Sequence, residues 1–156
     1  MTKLLYKNTM GLDNFGGFKK MVNVPIDEDL AMRVAGKRNM VQLSDIIYLK
    51  SAKNYTIFKL KDGREILSSK TLRVFEEELA EFTNFVRPHR SYMINLEHIK
   101  DLYFNCRGGE ILVHDHKIFI SRRKAAEFRR CYRKYLSNTG QNVALMLKLK
   151  TTIRVS

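Results

Sequence analysis

The sequence predicts a mainly β fold with short helices. Three observations carry that expectation. Short runs rich in β-branched and aromatic residues recur from residue 30 to 120, some strictly alternating, as in Tyr55-Thr56-Ile57-Phe58-Lys59-Leu60-Lys61. Turn-forming residues punctuate them, above all Asp62-Gly63 and Arg107-Gly108-Gly109. Helical periodicity appears in two places only, once mid-chain and once near the C-terminal end.

Taken in order, residues 1–29 are weakly patterned, with Gly11, Gly16-Gly17 and a polar stretch closing on Pro25-Ile26-Asp27-Glu28-Asp29. They read as an arm, anchored near Phe15 and Phe18, and fall well short of the roughly 100 residues that an independent receiver or sensor domain needs. Leu30–Ala35 and Met40–Leu43 form a hairpin around Gly36-Lys37-Arg38-Asn39. Ile46–Lys50 is a strand, Ser51–Asn54 a polar loop, Tyr55–Lys61 a strand and Arg64–Leu67 its return. Leu72, Phe75, Leu79 and Phe82 make one helical stripe with Thr71 as N-cap, and Glu76, Glu77 and Glu78 lie outside it, an acidic face expected to point away from any polyanion. Leu96–Ile99 makes a short turn of helix. Ile99–Asn105 and Glu110–Val113 flank the second glycine turn, His114-Asp115-His116 leads into Lys117–Ile120, and a last helix places Ala125, Phe128, Tyr132 and Leu136 on one face. Residues 137–156 form a tail whose Leu145, Leu147 and Leu149 alternate, suited to an extra strand or a partner contact.

Composition narrows the function. The 156 residues hold 44% hydrophobic side chains, enough for a core, and 29 Lys and Arg against 16 Asp and Glu, a formal +13. The excess lies in the patterned part, with 19 basic and 12 acidic residues between 44 and 136, rather than in a basic tail. That distribution suggests a polyanionic partner, nucleic acid first and anionic membrane second. No apolar run approaches the roughly 20 residues that span a bilayer. Cys106 and Cys131 make no disulfide framework and no zinc spacing, which suits free thiols in the cytoplasm.

One stretch mixes these themes, Phe85-Val86-Arg87-Pro88-His89-Arg90-Ser91-Tyr92-Met93-Ile94-Asn95. Pro88 excludes helix interior and biases Arg87 to an extended conformation. The exposed part of this excursion then carries two guanidiniums, an imidazole and a hydroxyl, donors suited to phosphates and guanine edges. An ordinary bend with solvated charges would have the same composition. A second signal sits at the last helix, where Ser121 can cap but Arg122, Arg123 and Lys124 would fill a first turn that disfavours cations. Such a local conflict marks function, so Arg122 and Arg123 look aimed at an anion. His89 has no Ser, Cys or paired carboxylate at catalytic spacing, and His114 with His116 lack a third metal ligand. Asn95, inside an apolar run, is suited to satisfying buried backbone groups. No enzymatic activity, cofactor, metal or small-molecule substrate is expected.

Together these pieces resemble the LytTR family of bacterial DNA-binding domains. Ile46-Ile47-Tyr48-Leu49-Lys50-Ser51-Ala52-Lys53-Asn54-Tyr55, Ser69-Lys70-Thr71-Leu72, the Phe85–Asn95 stretch and Ile120-Ser121-Arg122-Arg123 carry the likeness over about residues 30–136. The resemblance implies small stacked antiparallel sheets with a mid-chain and a C-terminal helix, and no helix-turn-helix. It also implies a transcriptional regulator that reads successive major grooves of bent duplex DNA with loop side chains, as two copies on repeated half-sites. By motif, Asn54, Tyr55, His89, Arg90 and Arg123 would read bases, while Lys53, Lys70, Arg87 and Arg122 would hold phosphates. Members are usually fused to a receiver or a membrane segment, and this sequence shows neither. Control is therefore expected through abundance, the termini or a partner such as a membrane-bound antagonist. The competing reading is a non-enzymatic basic module for RNA, anionic membrane or an acidic protein.

Overall fold

Apolar alternation becomes three antiparallel sheets. The computed structural model describes residues 31–35 and 39–140. The strands are β1 (Ala31–Ala35), β2 (Asn39–Gln42), β3 (Ile46–Ala52), β4 (Tyr55–Leu60), β5 (Glu65–Ser68), β6 (Phe85–His89), β7 (Tyr92–Asn95), β8 (Ile99–Asn105), β9 (Gly108–Val113) and β10 (His116–Ser121), with helices α1 (Leu72–Glu78) and α2 (Ala125–Thr139). β1 and β2 pair alone, β5-β4-β3-β7-β6 form a five-stranded sheet, and β10-β9-β8 a three-stranded one. The proposed arm, its Phe15 and Phe18 anchor, most of the first hairpin's turn and the alternating leucines of the tail lie outside the described residues.

The five-stranded sheet is the middle layer. Ile46, Ile47, Tyr48 and Leu49 are all buried because β3 is covered on both faces, which explains an apolar run where a half-exposed strand would alternate. Leu49, Phe58, Leu60 and Met93 pack with Met32, Val34, Leu72 and Phe75 on the side of α1 and the two-stranded sheet. Tyr48 and Ile94 join Ile111, Ile118, Phe128 and Tyr132 on the side of the three-stranded sheet and α2.

Both helices differ from expectation. α1 ends at Glu78, and Phe82 falls in a turn, where it still packs on the core. Bonds from Phe82 N–H to Leu79 O (3.0 Å) and Phe85 N–H to Phe82 O (3.3 Å) tighten the chain directly into β6. Thr71 occupies the N-cap position without donating or accepting a side-chain cap bond. α2 begins at Ala125, because Ser121 still pairs with Gly108 in the sheet and Arg122–Lys124 form a turn. The first turn then carries Glu127, held by Lys124 at 2.8 Å, so the expected clash between arginines and the helix dipole does not arise. α2 continues past Leu136 to Thr139, where Gly140 (φ 63°) ends it in the left-handed conformation.

Asn95 locks the layers. Fully buried at the end of β7, its Nδ2 donates to Ile46 O (3.1 Å) and Leu43 O (3.4 Å), and its Oδ1 accepts from Glu97 N–H (3.1 Å) and Asn84 Nδ2 (3.1 Å). Replacing it with the nearly isosteric leucine strands several buried polar groups at once. Asn95→Leu is expected to lower the unfolding free energy by about 2–4 kcal/mol, read as a shift of the urea midpoint.

His98 supplies a pH dependence. Its Nε2 donates to Ser44 O at 2.9 Å, and burial, partly offset by that bond, holds its pKa below the ordinary histidine range. As pH falls below the unfolded value of about 6.5, the unfolded chain binds a proton that the folded ring resists, so stability declines. Glutamine keeps a donor without titrating, and His98→Gln should flatten the melting-temperature profile between pH 7 and 5.

Candidate nucleic-acid interface

Strand ends, not a cleft, bring the chemistry to the surface. Ala52 pairs with Tyr55, which leaves Lys53 and Asn54 as a two-residue turn. Lys53 adopts φ 56°, a left-handed conformation that costs a lysine about 1 kcal/mol or more. Lys53, Asn54 and Tyr55 are all exposed, and among the described residues none of their side chains has a partner.

A second turn lies beside the first. β6 and β7 are joined by Arg90-Ser91, and Ser51 N–H donates to Ser91 O at 2.8 Å, so the tip of β3 holds this turn. Ser91 N–H donates to His89 Nδ1 at 3.2 Å. Nδ1 is the acceptor in that bond, and among the described residues Nε2 of the half-buried ring has no partner. The Arg90 carbonyl accepts from Arg87 Nη2 at 2.6 Å. The Arg90-Ser91 turn is thus held by three bonds, one to the Arg90 carbonyl and two made by Ser91, while the Arg90 guanidinium is exposed and unpaired among the described residues.

Arg87 departs from its expected place at a phosphate. Its Nη1 donates to the Glu76 carboxylate and its Nη2 to Arg90 O, so the group is committed within the fold. Lys70 is likewise engaged: Nζ donates to Glu78 at 2.6 Å and lies 5.6 Å from the Phe75 ring centre, yet the side chain stays about half exposed. All three acids of the α1 run pair with cations, Glu76 with Arg87, Glu77 with Arg73 and Glu78 with Lys70. Nothing local in the sequence marks the Glu76–Arg87 pair, whose members stand 11 residues apart.

The third element is separate. Arg122 and Arg123 occupy the exposed turn after β10, again without partners among the described residues. Strand β10 starts beside the second turn, where the His116 ring stacks on Tyr48 (5.1 Å, 25°) and lies 6.0 Å from Tyr92, itself 6.4 Å from His89. Ser121 lies five residues further, roughly 17 Å along an extended strand. The first two turns are thus adjacent, and the third stands at the opposite end of β10 from His116. His114-Asp115-His116 makes a tight turn with His114 at φ 58° and its ring bonded to Asp115. Among the described residues no three His, Cys, Asp or Glu side chains gather as a metal site, and Cys106 and Cys131 are free thiols. The cationic face of α2 is only partly solvated, since Arg129 lies 4.2 Å over the Phe104 ring. No helix of the described residues is long and apolar enough to cross a membrane.

Comparison with known proteins bears on this arrangement. A family model for the LytTr DNA-binding domain matches residues 36–133, a span that contains all three turns. The sensory transduction protein LytT of Bacillus subtilis (strain 168) is 33% identical over 103 residues, covering 65% of this chain and 42% of that protein's length. The chain therefore spans less than half of this curated relative. A solved LytTr DNA-binding domain from Bacillus cereus superposes with a TM-score of 0.55 at 22% identity, covering 65% of this chain and 94% of that one.

The Arg122–Arg123 turn depends on one glycine. Gly108 pairs with Ser121 at φ 138°, and a Cβ there would lie 2.1 Å from Ile120 O and 3.2 Å from Arg122 N. Both contacts are backbone and cannot yield cheaply. Gly108→Ala is expected to cost about 2 kcal/mol or more in a denaturant titration, with faster amide exchange at Ser121 and Arg122.

Proposed function

The chain belongs to the LytTR family of DNA-binding domains, and from that premise we propose that it is a sequence-specific transcriptional regulator that reads duplex DNA with side chains carried on turns. The observation that supports this most is the Arg90-Ser91 turn, with its backbone held by three bonds and the Arg90 guanidinium unpaired among the described residues. A fixed frame bearing a bidentate donor suits guanine O6 and N7. In this reading Arg123 makes the same kind of contact from the last turn, Asn54 and Tyr55 read from the first, and His89 offers its Nε2 donor. Lys53 and Arg122 bind phosphates, and Lys70 does so from its exposed ion pair. Arg87, with both terminal nitrogens committed, serves by holding the turn rather than by touching a phosphate.

The separation of the third turn from the first two supports contacts in successive grooves of a bent duplex, with two copies acting on repeated half-sites. Residues 30–136, extended by the end of α2, form the reading unit. Residues 1–29 and the tail after α2 are left for control, through each other or through a partner such as a membrane-bound antagonist. The site of action is the cytoplasm, where the DNA is.

Selection of duplexes from a random library at near-physiological salt tests the proposal. A direct repeat spaced by about one or two helical turns is the expected enrichment. On that duplex Arg90→Ala and Arg123→Ala should each cost about 1–3 kcal/mol, with a smaller loss on random DNA. Binding that enriches no motif and fades uniformly as salt rises would leave only an electrostatic module. Equal retention of RNA or anionic vesicles would support that alternative.

A further inference from the structure

We propose that Glu76 of α1 is a positioning residue for DNA recognition, acting through Arg87 to fix the backbone from which Arg90 projects. This rests on the reading of Arg90 as a base contact. The need for such a brace comes from the strands themselves. Pairing of β6 with β7 slips between Val86 and His89, and Pro88 has no N–H to give, so the ladder is irregular just before the turn. The Arg87 fork supplies what the ladder lacks there. One terminal nitrogen donates to Glu76 and the other to Arg90 O at 2.6 Å. Because the guanidinium is planar and rigid, anchoring Nη1 also aims Nη2. The Arg87 side chain is 22% exposed and its bond to Glu76 part-buried, so water competes less for that anchor than for an open surface pair, while the bond to Arg90 O is exposed. Helix α1, whose Leu72 and Phe75 pack in the core with Phe85 and Met93 of this hairpin, thereby also reaches the hairpin's tip. A lysine at position 87 would have a single point of attachment and could not serve both acceptors in the same way.

The sign of the charge makes this testable. A carboxylate this near a DNA surface repels phosphates, so its removal alone should tighten binding to every duplex. Positioning predicts the opposite for the preferred sequence. With the duplex enriched by selection and a scrambled control, Glu76→Gln should weaken preferred binding about five- to tenfold, part of what a bidentate base contact discriminates. Control binding should stay level or tighten. Arg87→Lys should behave similarly on the preferred duplex. In an Arg90→Ala background, Glu76→Gln should cause no further loss, because the group that it positions is gone. Thermal melting of each variant separates these losses from unfolding, and if Glu76→Gln fails to fold, Arg87→Lys carries the same cycle. The proposal is overturned if Glu76→Gln tightens both duplexes, or if its loss is the same with and without Arg90. If the wild type prefers no duplex, the DNA reading itself fails, an outcome distinct from a discriminating wild type that Glu76→Gln leaves unchanged.

Discussion

The buried amide of Asn95 is the constraint on which the layers depend. It meets the bend between Leu43 and Ile46 that hands the chain from the two-stranded sheet to β3. It also meets Asn84, at the entry to β6, and the turn at Glu97 that leads into β8. Leu43 O, Ile46 O and Glu97 N–H are backbone groups that lie where the chain changes sheet, the Asn84 partner is a side-chain amide, and unpaired buried groups are costly. One side chain with two donors and an acceptor of two lone pairs removes most of that cost. The junction is therefore polar inside an apolar core, and it fixes the register of β3, β6 and β7 together.

Fixing register at one end of those strands fixes what their other ends present. Asn95 and Arg90 bracket the hairpin of β6 and β7, and β3 runs alongside from Ile46 to the Lys53–Asn54 turn. The exposed side chains thus stand at the tips of strands whose bases are locked. A binding surface built this way loses little backbone entropy when it engages a ligand, which favours discrimination over adaptability. The Arg122–Arg123 turn obeys the same logic with a different device. There the close approach of Gly108 to Ile120 sets where β10 ends.

Much of this was legible in the sequence. Alternation and the Asp62-Gly63 and Gly108-Gly109 signals placed the strands, because each depends on residues near one another in the chain. Asn95 was readable as a buried satisfier since a lone amide in an apolar run has few other uses. The start of α2 was misplaced because Ser121 reads equally as a cap or as the last residue of a strand, and pairing with Gly108 decides it. Glu76 was read as part of an outward acidic face, since it lies off the apolar stripe of Leu72, Phe75, Leu79 and Phe82. Its partner comes from a strand that packs against the helix only in three dimensions, beyond the reach of periodicity. The same holds for His116, whose stack on Tyr48 joins two sheets.

Net charge also needs to be read through the fold. A formal +13 invites the view that every surface cation attracts a polyanion, yet the cations here divide into two kinds. Arg87, Lys70 and Lys124 are each held by a carboxylate, and Arg129 by an aromatic face. Lys53, Arg90, Arg122 and Arg123 have no such partner among the described residues. Counterion release depends on cations free to neutralise phosphates, so in the proposed complex the second kind would set attraction and its salt dependence. The first kind is partly neutralised and gives geometry instead. Acids placed beside a surface meant for DNA are then not a flaw in the electrostatics. In the proposed complex they would exchange a little attraction for the fixed orientation that a hydrogen-bond reader requires, and orientation is what separates one base pair from another.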